Sequence, residues 1–307
     1  MKDKLTLLLF ILLTSCSILY ATGIQSSELT HKGIKRAYCY YVPKVASSAK
    51  KIPLLFVLHG AGGNGEQISK FTKYKTLADK DTFIIVYPSG WKRYWNDGRD
   101  ATFESHRMNI DDVDFIDTLI TIFQNKYSID SRRVYATGLS NGGFMCFRLA
   151  CELSDKITAI APIISSMPQN APNTCNAKHP TSVLLINGTA DPLCPYNGGH
   201  MVIAGKDRGN ILSTKQAIEF WATKNNCKTK SDTIWLPHLN PSDNTRLNKV
   251  EYTGGDNNTS VVLYTAVGGG HNMPGGKQYL PKFMIGPTNY DMVTEEVVWS
   301  FLKQYKL

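Results

Sequence analysis

Several kinds of segment are missing from this chain. It has no C-x-x-C pair and no Cys/His cluster at zinc-finger spacing, which removes the common structural metal sites. Its basic residues do not run beyond a pair such as Lys50-Lys51 or Arg132-Arg133. With 34 Lys+Arg against 25 Asp+Glu the formal charge is +9, but charge this diffuse does not make a nucleic-acid-binding stripe. No G-x-x-x-x-G-K-[ST] occurs, and there is no internal repeat or low-complexity tract. Beyond the N-terminus no apolar run is long enough to span a bilayer. Charged residues make up only 19% of the chain and hydrophobic ones 42%, which excludes intrinsic disorder. The 307 residues are ample for a large core.

What is present begins with an export signal. Lys2 and Lys4 precede an apolar run from Leu5 to Leu13, too short to span a membrane comfortably. Leu13-Thr14-Ser15-Cys16 resembles the lipobox of bacterial lipoproteins, in which the cysteine takes the lipid. The alternative is an ordinary signal cut near Ala21. Residues 1–21 are therefore read as a signal peptide and 22–307 as a single catalytic domain, exported and either secreted or lipid-anchored at Cys16. Six cysteines remain after Cys16, and an even count in an exported chain suggests disulfides, with 15 connectivities open. Cys146 falls on a predicted buried helix and reads as a free core thiol.

Apolar runs alternate with amphipathic segments. Strands are expected at Ile52–Leu58, Thr82–Tyr87, Arg133–Thr137, Ile157–Ile164, Ser182–Asn187 and Ser260–Val267. Helices are expected at Asp111–Tyr127, Gly143–Glu152, Leu212–Thr223 and Thr294–Gln304. This alternation predicts an α/β protein with a mostly parallel central sheet and helices on both faces. Asn240 to Asn258 is polar and reads as a surface loop or a short hairpin.

Gly138-Leu139-Ser140-Asn141-Gly142 matches G-x-S-x-G between a predicted strand and a predicted helix. That context is what a nucleophile elbow requires, and it makes Ser140 the candidate nucleophile. A serine hydroxyl needs a base, and the base needs an orienting acid. Asp191 lies just past the fifth predicted strand, and His271 follows three glycines after the sixth, in the chain order Ser, acid, His. His106, His179 and His238 lie in polar segments away from a strand end. The loop His59-Gly60-Ala61-Gly62-Gly63 is placed to supply an oxyanion donor, so the backbone N–H groups of Ala61 and Asn141 are the expected pair. His59 is expected to hold that loop.

Gly60, Gly62 and Gly65 also spell a dinucleotide fingerprint. It fails because the next strand ends in Tyr87-Pro88-Ser89-Gly90 without the acid that would hold a ribose. Trp91, Tyr94 and Trp95 fall in one loop and could line a site. Asp111 and Asp112 read as helix caps rather than a catalytic pair.

The stretches LHGAGGNG (58–65), YPSGW (87–91), WNDGR (95–99), DDVDF (111–115), RVYATGLSNGGF (133–144), INGTADPLCPYNGG (186–199) and GGGHNMPGG (268–276) run in one order along the chain. In this the chain resembles the α/β-hydrolase esterases that group poly(3-hydroxybutyrate) depolymerases with feruloyl and acetyl-xylan esterases. The resemblance implies an α/β-hydrolase fold, a Ser140–Asp191–His271 triad and an oxyanion position at the His59 loop. That family usually has Trp two residues after the catalytic histidine, where this chain has Met273. His59, Trp91, Trp95 and Met273 are the residues expected near substrate.

The expected activity is serine carboxylester hydrolysis of feruloyl, acetyl-carbohydrate or short hydroxyalkanoate esters, with a small-molecule or oligosaccharide ester as partner. It needs no metal or organic cofactor and involves no nucleic acid. A peptidase or acyltransferase on the same fold, or a non-catalytic surface binding protein, are the alternatives.

Overall fold

The structure is a computed structural model and describes residues 23–44, 46 and 51–307. The signal segment, Cys16 and its lipobox lie outside the described residues.

Its strands, in chain order, are β1 (Gln25–His31), β2 (Ile34–Tyr41), β3 (Ile52–Leu58), β4 (Ile84–Pro88), β5 (Ile129–Leu139), β6 (Ala159–Ile163), β7 (Ser182–Gly188), β8 (Gly199–Ile203), β9 (Lys206–Ile211), β10 (Thr229–Lys230), β11 (Ile234–Trp235), β12 (Arg246–Thr253) and β13 (Val261–Val267). The helices are α1 (Gly65–Phe71), α2 (Tyr74–Asp81), α3 (Glu104–Arg107), α4 (Asp112–Lys126), α5 (Asn141–Glu152), α6 (Ala171–Thr174), α7 (Thr214–Lys224), α8 (Lys282–Ile285) and α9 (Thr294–Leu302).

One sheet runs in the order β1-β2-β4-β3-β5-β6-β7-β13-β12-β10, with β11 added on β12. The six central strands from β4 to β13 are parallel, and antiparallel strands close both edges. Strand β3 shows how the sequence builds two cores. Leu54, Phe56 and Leu58 point to the face covered by α4, α5 and α7. Leu55 and Val57 point to the face covered by α1, α2 and α9. A strand buried on both sides must be apolar at every position, which is why Ile52–Leu58 is a continuous run rather than an alternating one.

The sheet agrees with the sequence expectation in class and in its central strands. It differs at the edges. The polar stretch 240–258 contains β12, which pairs along its length with β13 and extends the sheet. β1 and β2 form an antiparallel ribbon on β4. β1 is the outermost strand, and β12 is flanked on its outer side by the two-residue strands β10 and β11 and is mostly half-buried, so neither has the hydrophobic run that marks a central strand.

The disulfide expected from the cysteine count is present as one pair. Cys151 bonds Cys175, while Cys39, Cys146, Cys194 and Cys227 are free. Cys146 is buried as expected.

Because the parallel strands share a direction, their C-terminal ends lie along one edge. β3 is flanked by β4 on one side and β5 on the other, so connections leave it in opposite senses. In open α/β sheets that switch point opens the crevice where ligands bind. The loops after β3, β5, β7 and β13 all emerge on that edge.

Candidate active site

The turn from β5 into α5 is strained. Ser140 has φ 53° and ψ −119°, a conformation that L-residues rarely adopt and that costs about 1–3 kcal/mol. The backbone is held there by the N–H of Ser140 donating to Ile163 O at 2.9 Å and by Ser140 O accepting from Phe144 N–H at 2.9 Å. The flanking glycines are required by packing. A Cβ on Gly138 would lie 2.6 Å from the Gly142 backbone, and one on Gly142 would lie 2.5 Å from Leu58 O. Gly143 has Ser165 Oγ at 2.3 Å from the same position. Strand, turn and helix can cross this closely only without side chains there. Ser140 itself is partly exposed at the tip.

Asp191 and His271 come together from two different loops. His271 Nδ1–H donates to Asp191 Oδ2 at 2.7 Å. The other carboxylate oxygen accepts the backbone N–H groups of Leu193 and Cys194, both at 2.8 Å. The histidine's own backbone is pinned, since its N–H donates to Ile285 O and its carbonyl accepts from Tyr279 Oη. The two loops touch at glycines, where a Cβ on Gly188 would meet Gly269 O at 2.3 Å. With Nδ1 engaged, Nε2 is left as the acceptor of the ring. No hydrogen bond joins the Ser140 hydroxyl to His271 among the described residues.

The loop after β3 lies beside the serine. A Cβ on Gly60 would sit 3.6 Å from Ser140 Cβ. Gly62 N–H donates to Arg93 O and Gly63 N–H to Gly60 O, whereas the N–H groups of Ala61 and Asn141 have no partner among the described residues. Asn141 is the first residue of α5, so its N–H also carries the positive end of the helix dipole.

His59 is 2% exposed and holds this loop from inside. Its Nδ1–H donates to Gly60 O at 2.7 Å, and its Nε2 accepts from Gly90 N–H at 2.9 Å. Burial drives its pKa down to about 4, so the ring is neutral, as that bonding pattern requires.

Three residues expected near substrate are buried. Trp95 is fully buried, its indole N–H donating to His59 O at 2.9 Å. His59 likewise faces the loop and not the solvent. The hydrogen bonds of both side chains are to backbone of the neighbouring loops. Met273 is also buried, in the core with Met292 and Val298. Trp91 is half-exposed, with Lys92 Nζ 4.7 Å from its ring centre.

The sequence reading missed a buried charge network. Asp97 binds Arg99 and His106, and Asp112 binds Arg36, all largely buried. Asp111 does cap α4, accepting Asp114 N–H at 3.0 Å. Asp112 does not: its carboxylate accepts from Arg36 Nη2 at 2.5 Å and Asn96 N–H at 2.7 Å. Burial alone would raise the Asp97 pKa, but the Arg99 charge and the His106 hydrogen bond outweigh it and hold the carboxyl well below the usual range. The spacing D-x-R in 97–99 was the available signal. A cavity of about 450 Å³ lies beyond this network, bordered by Arg99, Arg148, Met167 and the Cys151–Cys175 disulfide. None of Ser140, Asp191 or His271 lines it. Among the described residues no group of three His, Cys, Asp or Glu side chains could hold a metal ion.

Residues 36–167 match the family model described as esterase PHB depolymerase. NocK of Nocardia uniformis subsp. tsuyamanensis, a protein named as an esterase, is 28% identical over 283 residues, covering 90% of this chain and 81% of its own length. Feruloyl esterase B of Piromyces equi is 28% identical over 273 residues, covering 86% of this chain but 44% of its own length. This chain therefore spans less than half of the Piromyces enzyme. Among solved structures, an acetyl xylan esterase from Aspergillus awamori matches with a TM-score of 0.55 at 15% identity, covering 78% of this chain and 92% of that one. At that identity the likeness establishes the fold alone, the α/β-hydrolase fold.

Proposed function

We propose that this chain, whose residues 36–167 match the family model described as esterase PHB depolymerase, is a serine carboxylester hydrolase working through Ser140, His271 and Asp191. The observation that carries this reading is the strained Ser140 turn, set on the same sheet edge as the Asp191–His271 hydrogen bond.

His271 Nε2 removes the Ser140 proton as Oγ attacks the ester carbonyl. The carbonyl oxygen becomes an oxyanion that accepts from the Ala61 and Asn141 N–H groups, a donor pair of which each member contributes about 3 kcal/mol to transition-state stabilisation. Asp191 keeps the proton on Nδ1 and stabilises the imidazolium. The imidazolium then protonates the leaving alkoxide, and alcohol departs from an acyl-Ser140. Water enters, His271 takes its proton, and the second tetrahedral intermediate collapses to free acid and regenerated Ser140.

Feruloyl, acetyl-carbohydrate and short hydroxyalkanoate esters are the substrate classes we assign. The names of the relatives in feruloyl and acetyl xylan ester hydrolysis support this choice. We place the protein outside the cytoplasm, with Cys16 as its lipid attachment point. The Cys151–Cys175 disulfide is compatible with an oxidising compartment.

A fluorophosphonate probe tests the nucleophile. Peptide mapping of the labelled protein is expected to find the adduct on Ser140. An unlabelled protein, or an adduct elsewhere, overturns the assignment. Incorporation of labelled palmitate that is lost in Cys16→Ser tests the anchor, and no incorporation overturns it.

A further inference from the structure

The segment Trp95-Asn96-Asp97 grips both halves of the oxyanion hole at once. On the β3 side, the Trp95 indole donates to His59 O, and the two rings lie 5.0 Å apart. His59 immediately precedes Gly60-Ala61. On the β5 side, the segment consumes the whole side chain of Asn141. Asn141 Oδ1 accepts from Trp95 N–H at 2.8 Å, and Nδ2 donates to Trp95 O at 3.1 Å. The second Nδ2 hydrogen goes to Asp97 Oδ2 at 2.6 Å. All of these groups are buried.

The last of these bonds has a charged acceptor, and such bonds are roughly twice as strong as neutral ones. Asp97 is itself fixed from three sides. Arg99 Nη2 reaches Oδ2 at 2.7 Å, His106 Nε2–H reaches Oδ1 at 2.9 Å, and Asn141 takes the remaining direction. Arg99 is in turn stacked 3.9 Å over the ring of Phe144, three residues further along α5 from Asn141. Buried ion pairs are weak sources of net stability, since desolvation cancels most of the attraction. What a fully bonded buried carboxylate does provide is a fixed position. Here that position is the far end of the residue whose N–H faces the oxyanion.

We propose that Asp97 is a positioning residue for the oxyanion hole, aiming the Asn141 N–H by holding the Asn141 side chain against the 95–97 segment. The proposal rests on the serine-esterase reading above. It predicts that Asp97 and Asn141 act as one unit, and that loosening either costs the transition state more than the ground state.

The test is a double-mutant cycle on the mature enzyme with a p-nitrophenyl ester. Active sites are counted by the fluorophosphonate adduct, so that each kcat refers to folded protein. Asp97→Asn and Asn141→Ala are each expected to lower kcat by about 10–100-fold with KM within about twofold, the loss that a misaimed oxyanion donor brings. Affinity for a trifluoromethyl ketone analogue is expected to fall in parallel, while affinity for the product acid holds. The double variant is expected to be no more than about threefold worse than the poorer single one, because coupled residues are not additive. Losses that multiply overturn the proposal. So does a kcat per active site that stays at the wild-type value while the melting temperature falls. If Asp97→Asn does not fold, Asn141→Ala decides alone: kcat lost at constant KM supports the proposal, and kcat unchanged overturns it. The esterase reading fails separately, through a wild type that neither hydrolyses nor labels, and the proposal then falls with it.

Discussion

His271 Nδ1 stands 2.7 Å from Asp191 Oδ2, although the two residues are 80 positions apart in the chain. They meet because β7 and β13 are neighbours in the sheet and end in loops whose glycines allow contact. Asp191 has no freedom left, since its second oxygen accepts two backbone N–H groups.

Replacing Asp191 by Asn keeps the shape and reverses the tautomer preference of the ring. The expected outcome is a fall in kcat of about 10³–10⁴-fold with little change in KM. Steady-state hydrolysis of a soluble ester measures it. A loss under tenfold would mean that Asp191 does not orient the base.

Glycines around the serine serve two separable purposes. In Gly142→Ala the new methyl meets Leu58 O at 2.5 Å, so a stability loss of about 1–3 kcal/mol or failure to fold is expected. In Gly60→Ala the methyl makes ordinary contacts of 3.4 and 3.6 Å, the nearer to Leu139 O and the other to Ser140 Cβ. That variant is expected to keep its melting temperature and lose activity. Thermal unfolding beside ester hydrolysis separates the two, and equal melting temperatures would refute the contrast.

Acidification tests the His59 assignment. The folded pKa of about 4 lies below the ordinary 6.5, so the unfolded chain binds the extra proton between those values. Stability is therefore lost as pH falls from about 6.5 to about 4, and the loss levels off below that. One such group contributes about 3 kcal/mol across the window. Urea unfolding at pH values from 4 to 8 should show this slope in the wild type and less of it in His59→Gln. Identical slopes would contradict a neutral buried His59.

The Cys151–Cys175 link closes a loop with a sequence separation of 24. In the chain-entropy account its loss costs about 3 kcal/mol. The pair Cys151→Ser, Cys175→Ser is expected to unfold at correspondingly lower denaturant. Cys146 and Cys194 are buried, and burial pushes both thiols up, so neither should react with a thiol reagent before unfolding. Reaction of either in the native protein would overturn that.

The central strands and the strand–turn–helix at Ser140 were legible because each leaves a local mark. A doubly buried strand such as Ile52–Leu58 is apolar throughout, and an elbow such as Gly138–Gly142 must carry glycines where helix and strand cross. The outer strands Gln25–His31 and Arg246–Thr253 leave no such mark, because they are only partly buried and mix polar with apolar residues. The roles of Trp95, His59 and Met273 were illegible for another reason. An aromatic ring or a thioether near a catalytic residue looks the same in sequence whether it faces substrate or core, and only burial separates the two. Asp97 and Asp112 were hidden likewise, since their partners Asn141 and Arg36 lie 44 and 76 residues away.

The most direct measurement is hydrolysis of a short-chain p-nitrophenyl ester by the mature protein beside Ser140→Ala. Serine catalysis at the strained turn predicts turnover by the wild type and a loss of about 10⁶-fold in kcat for the variant, the size seen when a triad serine is removed. Turnover by Ser140→Ala at a rate near the wild type would contradict it.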